Sequence, residues 1–547
     1  MKTIESFGEE LLQRKLIDAT QLAYALQRNG VVSESLWKTV INAGLASEGQ
    51  VARVLADVWE FKYVSADDVP ESEPATLNQF TKDFCLAYNF LPLHREGQSM
   101  VILLGDADVG RVQEAVEQRA SLRCVFWMCD FSAVRRLIVH RFYFSQHPPE
   151  QLLDAEIRAI AGDRGHNLSP VNLLDALLHL AVKERATDVH IVPTDVTYHV
   201  LLRVDGVLRP IKALPVSVGR LLSYIKLISD MDISEQRLPQ DGSFRKTILD
   251  EQTTIRVSTI VTEHGERMVM RLLPDAYDQK GLSELGYFPE DVERIAARMA
   301  SASGLVLMTG PTGSGKSSTL HAGLRMQKLI ERNVLTVEDP LEYRVAGAGQ
   351  TEVNRRAGYD FSTALRHFLR HDPDVILVGE MRDAETSEAA ISAAATGHLV
   401  LSTLHITSVF GIVPRLEPFG ISPHVIAENL LLVINQRLIR RNCPHCAAEQ
   451  PWTSEERVLL SAPLGSRAVR SSGCVSCRGT GYLGRLPIYE ILEVNEAISN
   501  AIADGKSRET LKEVALASGF ASIAEHARQR VLLGQTTLDE VKRNINL

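Results

Sequence analysis

The 547-residue sequence has no apolar run approaching the ~20 residues that span a bilayer. Its first residues, Met1-Lys2-Thr3-Ile4-Glu5, lack the apolar stretch of a secretory signal. It also lacks a basic excess. With 59 Lys and Arg against 68 Asp and Glu, the net charge of −9 argues against a nucleic-acid binder held by a broad basic surface. Cysteines number only seven, too few in a chain this long to suggest a disulfide scaffold. These absences lead us to expect a cytoplasmic protein, with a peripheral membrane role left open.

Hydrophobic residues make up 45% and charged residues 23%, as in ordinary globular proteins. The length exceeds what one core can fill, so several domains are expected. The most informative segment is Gly310-Pro311-Thr312-Gly313-Ser314-Gly315-Lys316-Ser317. It matches G-x-x-x-x-G-K-[ST], a loop whose backbone N–H groups wrap nucleotide phosphates. Glycine is needed there because a Cβ would keep the chain from curling tightly against a ligand. Lys316 is expected to reach the β- and γ-phosphates, and Ser317 to hold Mg²⁺ through its hydroxyl. Leu305-Val306-Leu307-Met308 reads as a buried strand entering the loop, and residues 318–328 as a helix leaving it.

Hydrolysis needs more than a phosphate loop. It requires a positioned water, further carboxylates and cations around the transferring phosphoryl group. Val334-Leu335-Thr336-Val337 reads as a strand ending in Glu338-Asp339-Pro340-Leu341-Glu342. Asp374-Val375-Ile376-Leu377-Val378-Gly379-Glu380 has the same form, with Glu380 placed to meet Mg²⁺ through water. Acids at the C-terminal ends of strands stand where ligands bind in α/β sheets, although single acids there are often helix caps. His398 and His405 flank the apolar stretch 399–404 and are candidates to sense the γ-phosphate. Arg366, Arg370 and Arg382 add cations nearby.

Cys443-Pro444-His445-Cys446 and Cys474-Val475-Ser476-Cys477 are separated by 27 residues. Paired C-x-x-C units can close a tetrahedral zinc site, and reduced, unliganded thiols are the alternative. The first sixty residues read as two copies of helix, turn, helix. Leu11, Leu12, Leu16, Leu22 and Leu26 recur 29 positions later as Val40, Ile41, Leu45, Val51 and Leu55, with Asp18 and Ser47 as N-caps. A plain amphipathic bundle is the competing reading.

These motifs carry a family resemblance. From about residue 171 onward the chain resembles the type II secretion and type IV pilus assembly ATPases. The match includes Leu238-Pro239-Gln240-Asp241-Gly242, Arg256-Val257-Ser258-Thr259, His264-Gly265-Glu266, the phosphate loop and Val337-Glu338-Asp339-Pro340-Leu341-Glu342. It continues through Gly379-Glu380-Met381-Arg382-Asp383, Ala395-Thr396-Gly397-His398, Ser402-Thr403-Leu404-His405, Asn435-Gln436-Arg437-Leu438 and both cysteine pairs. The resemblance implies an α/β multidomain protein with a RecA-like P-loop core. Composition and patterning set off residues 1–65 as a helical repeat segment, 66–150 as a small α/β domain and 151–170 as a polar, proline-bearing linker, and the resemblance implies 171–280 as the α/β domain before the core. Residues 281–441 are then the ATPase domain, 442–490 a tetracysteine zinc subdomain and 491–547 a helical tail.

The resemblance further implies a ring hexamer using ATP, Mg²⁺ and Zn²⁺. Glu342 would activate the water, with Glu338 as the fallback. Gly310 to Ser318, together with His398 and His405, would hold nucleotide. Arg256 and Arg271 would approach the phosphates, and Arg366, Arg370, Arg382 and Arg415 would couple subunits or touch nucleotide. The ring would drive an inner-membrane platform protein, without nucleic acid. A regulatory subunit without turnover and a nucleic-acid translocase are the alternatives. The chain departs from the family at Leu201, where an arginine is usual, and at Ile406-Thr407-Ser408 after the second histidine. The N-terminal repeat resembles more distantly the tandem motif that binds cyclic di-GMP. Its opening arginine is missing at Ser6-Phe7-Gly8, and Lys15 stands where the second copy has Gly44. Docking to a membrane-anchored cytoplasmic partner is the alternative for this segment.

Overall fold

Apolar runs that alternate with helical segments after residue 300 build a seven-stranded sheet. The computed structural model describes residues 4–32, 35–106, 108–120, 122–162, 169–274 and 280–546, in two units, Met1–Glu60 with Asp278–Leu547, and Phe61–Tyr277. In the first unit the strand order is Gly349–Glu352, Val334–Glu338, Val375–Val378, Leu399–Leu404, Gly304–Thr309, Leu430–Asn442 and Tyr482–Glu493. All neighbours pair parallel except the last two strands. The central strands are buried along their whole length, because helices cover both faces. Alternation divides the central side chains. Leu305 and Leu307 face a core shared with the helices Phe361–Phe368 and Ala384–Ala395, whereas Val306 and Met308 face one shared with Pro289–Met299 and Lys316–Arg325.

The last strand moves a boundary expected from sequence. Tyr482–Glu493 returns antiparallel along Leu430–Asn442, so residues 482–490 belong to the ATPase sheet. The tetracysteine segment is therefore an insert between adjacent strands of that sheet. Its apolar stretch Leu486 to Leu492 is buried as sheet edge strands rarely are, because the helices Ile523–Leu532 and Leu538–Asn544 pack over it.

The N-terminal residues form four helices, Ile4–Gln13, Ala19–Val32, Leu36–Asn42 and Glu48–Val58. The repeat is physical. Asp18 and Ser47 each cap a helix by accepting from the backbone of Gln21 and Gln50, whose side chains reach back to the cap N–H. Lys15 and Gly44 both take left-handed backbone, with φ of 55° and 68°, where the preceding helix ends. The glycine of the second copy therefore serves a helix stop, and Lys15 does the same under strain. Both caps also hold the core: Asp18 pairs with Lys328 at 2.7 Å, and the Ser47 hydroxyl donates to Glu284 at 2.8 Å. The repeat breaks at Leu26, which is exposed where Leu55 is buried.

The second unit carries two sheets. One has the order Lys62–Tyr63, Arg123–Met128, Ser99–Leu104 and Phe90–Glu96. The other is antiparallel, in the order Val207–Pro215, Thr197–Val204, Ala186–Pro193, Gly265–Pro274, Glu251–Thr262 and Gln240–Ile248. The linker expected at 151–170 is largely a helix, Pro149–Gly162, with Leu153 buried in the core beneath the antiparallel sheet. Proline at a first helical position lacks only an N–H that would be unpaired anyway, so Pro149 starts this helix instead of breaking the chain. Of the remainder, residues 163–168 lie outside the described residues, and Ser169 and Pro170 cap and start the next helix, Pro170–Lys183. Among the described residues no helix is long and apolar enough to cross a membrane.

Candidate functional site

The strand Gly304–Thr309 delivers the chain to Gly310, and the helix Lys316–Arg325 carries it away. Gly310, Gly313 and Gly315 have φ of 137°, 77° and 86°, values that side-chain-bearing residues rarely adopt. Between them Pro311, Thr312 and Ser314 complete the loop. A Cβ on Gly310 would lie 2.4 Å from the Gln436 carbonyl oxygen, so the loop rests directly on the neighbouring strand. The buried Gln436 side chain donates to the Ser314 carbonyl at 2.6 Å and accepts from the Thr319 hydroxyl at 3.0 Å. Tyr287 also donates to it. The Lys316 ammonium donates to the carbonyls of Gly310 and Pro311 at 3.0 Å. Burial pulls Lys316 below the usual lysine range, against the opposing attraction of Glu380 and Glu342.

That attraction locates the carboxylates. Glu342 follows the strand Val334–Glu338 and Glu380 the strand Val375–Val378, both in the parallel sheet that carries the loop, and both act on the charge of its lysine. Glu380 sits between Arg382 at 2.7 Å and His405 at 3.0 Å. Glu342 is exposed. Glu338 is buried and engaged: one oxygen accepts from Thr336 at 2.8 Å and from Gln350 at 3.3 Å, and the other lies 3.0 Å from His321.

His398 does not join this cluster. Gly304 pairs with Leu399 and Thr309 with Leu404, so His398 lies beside the start of the strand that leads to the loop and His405 beside its end. The His398 ring meets the Ala393 carbonyl at 2.9 Å and the Thr396 hydroxyl at 3.3 Å, at the end of a helix. The two histidines stand at opposite ends of one strand, and its parallel pairing with Gly304–Thr309 brings only His405 to the loop end of the sheet. Arg366 pairs with Glu385, Arg370 contacts His367, and Arg415 stacks on Phe419.

Arg256 and Arg271 lie on the second unit, opposite each other on adjacent strands. Asp188 stands opposite both Arg271 and Arg203, so Arg203, Asp188, Arg271 and Arg256 form one row across four strands. Arg271 donates to Asp188 at 2.9 Å, and Arg203 lies 3.8 Å from it. Leu201, the departure from the family pattern, pairs opposite His190, a buried ring with neither nitrogen hydrogen-bonded.

Cys443, Cys446, Cys474 and Cys477 converge, with all four sulfurs within 4.8 Å of one another. The distances Cys443–Cys474 and Cys446–Cys477 are 3.8 Å, and Cys474–Cys477 is 3.7 Å. A tetrahedron with Zn–S bonds of about 2.3 Å has edges of about 3.8 Å, so the four residues fit a structural zinc ion. Burial raises the Cys477 thiol, but N–H groups of Cys474 and Gly481 and the adjacent thiols outweigh it and bring it to about 6. Cys85, Cys124 and Cys129 belong to the second unit, with thiols pushed up by burial.

Sequence reasoning missed His321, Gln350, Tyr343 and the role of Gln436. His321 had a legible signal, since it follows Ser317 by four residues on the same helix face. Tyr343 and Gln436 reach the loop and its helix only through the fold, at the Ser318 hydroxyl and the Ser314 carbonyl, and Gln350 bonds the Tyr343 carbonyl.

A strand-loop-helix phosphate site on a mostly parallel sheet, with carboxylates at the ends of the next strands, defines a P-loop nucleotide-binding domain of the RecA kind. The family model described as type II/IV secretion system protein matches residues 166–543, and one described as MshEN domain matches residues 59–147. A type IV pilus assembly ATPase of Thermus thermophilus is 36% identical, over 92% of this chain and 58% of its own length. One from Myxococcus xanthus is 30% identical, over 98% of both chains. The type II secretion system protein E of Klebsiella pneumoniae is 41% identical, over 68% of this chain and 75% of its own. The Legionella pneumophila ATPase DotB has the same core fold, with a TM-score of 0.50 and 22% identity over 70% of this chain and 97% of that one. The chain belongs to the type II/IV secretion system protein family, whose ATPases it matches across the phosphate loop and the carboxylate-bearing strands. The MshEN match begins at residue 59, beyond nearly all of the helical repeat.

Proposed function

We propose that this chain hydrolyses ATP as a subunit of a homo-hexameric ring, and that the ring drives assembly of a type IV pilus or type II secretion pseudopilus through an inner-membrane platform protein. The observation that carries the reading is the strand-loop-helix phosphate site, with Glu342 and Glu380 following neighbouring parallel strands of the same sheet. Residues Gly310 to Ser318 bind the triphosphate, and Lys316 neutralises its β- and γ-oxygens. Ser317 and Glu380 hold Mg²⁺, which supplies charge neutralisation when bound. Glu342, exposed and adjacent, takes the proton as water attacks the γ-phosphorus and ADP departs. Glu338 is fully engaged in the interior, which supports Glu342 as the base. His405 holds Glu380 and is placed to sense the γ-phosphate through it.

Arg256 and Arg271 complete the phosphate site once subunits assemble, and Arg366, Arg370, Arg382 and Arg415 serve contacts between subunits. The cysteine cluster binds Zn²⁺ with all four positions closed, so its role is structural. The protein works in the cytoplasm at the inner membrane. Its N-terminal helices, with Tyr24 and Leu26 exposed on Ala19–Val32, dock a membrane-anchored partner and bind cyclic di-GMP weakly or not at all.

The test is ATP turnover by the assembled protein without nucleic acid. Wild type should turn over, and Glu342→Gln should bind ATP without hydrolysing it. Absence of turnover in the wild-type ring would favour a regulatory subunit, and dependence on DNA a translocase. Activity should also vanish on dilution to monomer.

A further inference from the structure

We propose that His321 is a positioning residue for hydrolysis: it brackets the segment 338–343 and thereby sets where the Glu342 carboxylate stands relative to Ser317. The inference rests on the reading of Glu342 as the base and adds to it a residue outside the phosphate-loop motif.

The helix Lys316–Arg325 presents Ser317 and His321 one turn apart on one face. Nδ1 of His321 meets the Ser317 carbonyl at 2.8 Å, and because a carbonyl only accepts, Nδ1 is the donor. Nε2 lies 3.0 Å from Glu338 Oε2, an ion-pair distance approached off the line of a good hydrogen bond. Both side chains are buried, so neither contact is diluted by solvent. The ring also meets Tyr343 edge-on, with centroids 5.2 Å apart. His321 thus touches the chain on both sides of Glu342, at Glu338 before it and at Tyr343 after it.

The bracket closes on itself. The Tyr343 hydroxyl lies 3.3 Å from the Ser318 hydroxyl, and the Tyr343 carbonyl accepts from Gln350 at 2.9 Å. Gln350 also donates to Glu338 at 3.3 Å. The circuit Ser318, Tyr343, Gln350, Glu338, His321, Ser317 begins and ends on the phosphate-loop helix. Residues 339–342 lie outside the circuit and are held by it at both ends. A base must stand within hydrogen-bond reach of its water, and an error near 1 Å can cost about 10²-fold in rate. His321 fixes that distance without touching substrate.

The experiment compares His321→Ala, His321→Gln and His321→Asn in the full-length assembled protein. Turnover is measured together with the dissociation constant of a fluorescent ADP analogue and with thermal unfolding. We expect His321→Ala to lower kcat by about 100-fold while nucleotide affinity stays within about threefold, the split of a residue that acts only on the chemical step. The glutamine amide reaches the place of Nε2 and restores the contact with Glu338, so His321→Gln should recover more of kcat than His321→Asn, which restores only the contact with Ser317. Parallel loss of affinity and kcat, kcat within twofold of wild type, or equal rescue by both amides would overturn the proposal. A cycle of His321→Ala with Glu338→Gln should show non-additive losses in kcat, and additive losses would also refute it. Glu342→Gln is assayed alongside. If that variant hydrolyses ATP normally the base assignment fails, whereas the His321–Glu338 coupling is read independently from the cycle.

Discussion

Two glycines of the phosphate loop differ in what an added methyl group would meet, and the difference fixes a measurable contrast. At Gly310, with φ of 137°, a Cβ would stand 2.4 Å from the Gln436 carbonyl oxygen and 2.8 Å from the Ser314 hydroxyl. The carbonyl belongs to a residue paired with Tyr489 on one side and following directly on the pair Thr309–Asn435 on the other, so it has little freedom to retreat the ångström or so that contact requires. At Gly313, with φ of 77°, nothing lies within 4 Å of the added Cβ. Gly313→Ala thus carries only the left-handed backbone cost, about 1–2 kcal/mol. Gly310→Ala carries about 1–3 kcal/mol of backbone strain and about 1–3 kcal/mol or more of overpacking. Where the free variant loop relaxes from this path and nucleotide must restore it, these costs are a loss of affinity of up to about 30-fold for Gly313→Ala and up to about 10⁴-fold for Gly310→Ala, at about 1.4 kcal/mol per tenfold. Titration of the folded variants with a fluorescent nucleotide reads both numbers, and circular dichroism checks that each folds. Equal losses for the two, or a Gly310→Ala protein that binds within threefold of wild type, would show that the close approach to Gln436 does not shape the binding loop.

Lys316→Ala should remove most ATP turnover, since the β- and γ-phosphates lose their main cation; activity within twofold of wild type would contradict it. Protein purified without chelator should contain one Zn²⁺ per chain, and Cys443→Ser should lower metal content and protease resistance around residues 441–490 more than nucleotide affinity; elemental analysis without zinc counts against the site. His526 is held neutral by burial with Arg530 beside it, its pKa brought down to about 3, and His140 by burial with Arg136, to about 4. Each binds a proton on unfolding below about pH 6.5, so their stability is intact above that value and is lost as pH falls, by up to about 1.4 kcal/mol per unit for each. Urea unfolding at pH 7.5 and pH 5 should show this loss, and His526→Phe, which keeps the ring contacts with Tyr489 and Phe288, should reduce it; an unchanged loss in the variant would refute the assignment.

The phosphate loop was legible in the sequence because its chemistry is local. Glycine at fixed spacing, one lysine and one serine specify a backbone path that any following helix can terminate. The strands carrying Glu338, Glu342 and Glu380 were legible for a related reason, as short apolar runs that end in acids. The cysteine pairs were legible as pairs, but the return of the strand Tyr482–Glu493 and the pairing of Ala447–Gln450 with Ala468–Ser471 bring the second pair to the first. Tertiary structure alone decided the rest. Which of two acids four residues apart faces outward depends on what surrounds the end of the strand. Here Thr336, Gln350 and His321 claim Glu338 and leave Glu342 exposed. Which of two histidines meets the site depends on parallel pairing, which places His405 at the loop and His398 a strand length away. The floor beneath the loop is Gln436, far along the chain but adjacent in the sheet. Local patterns fix the loop and the strands, whereas burial and the order of strands in the sheet select which of their side chains meet.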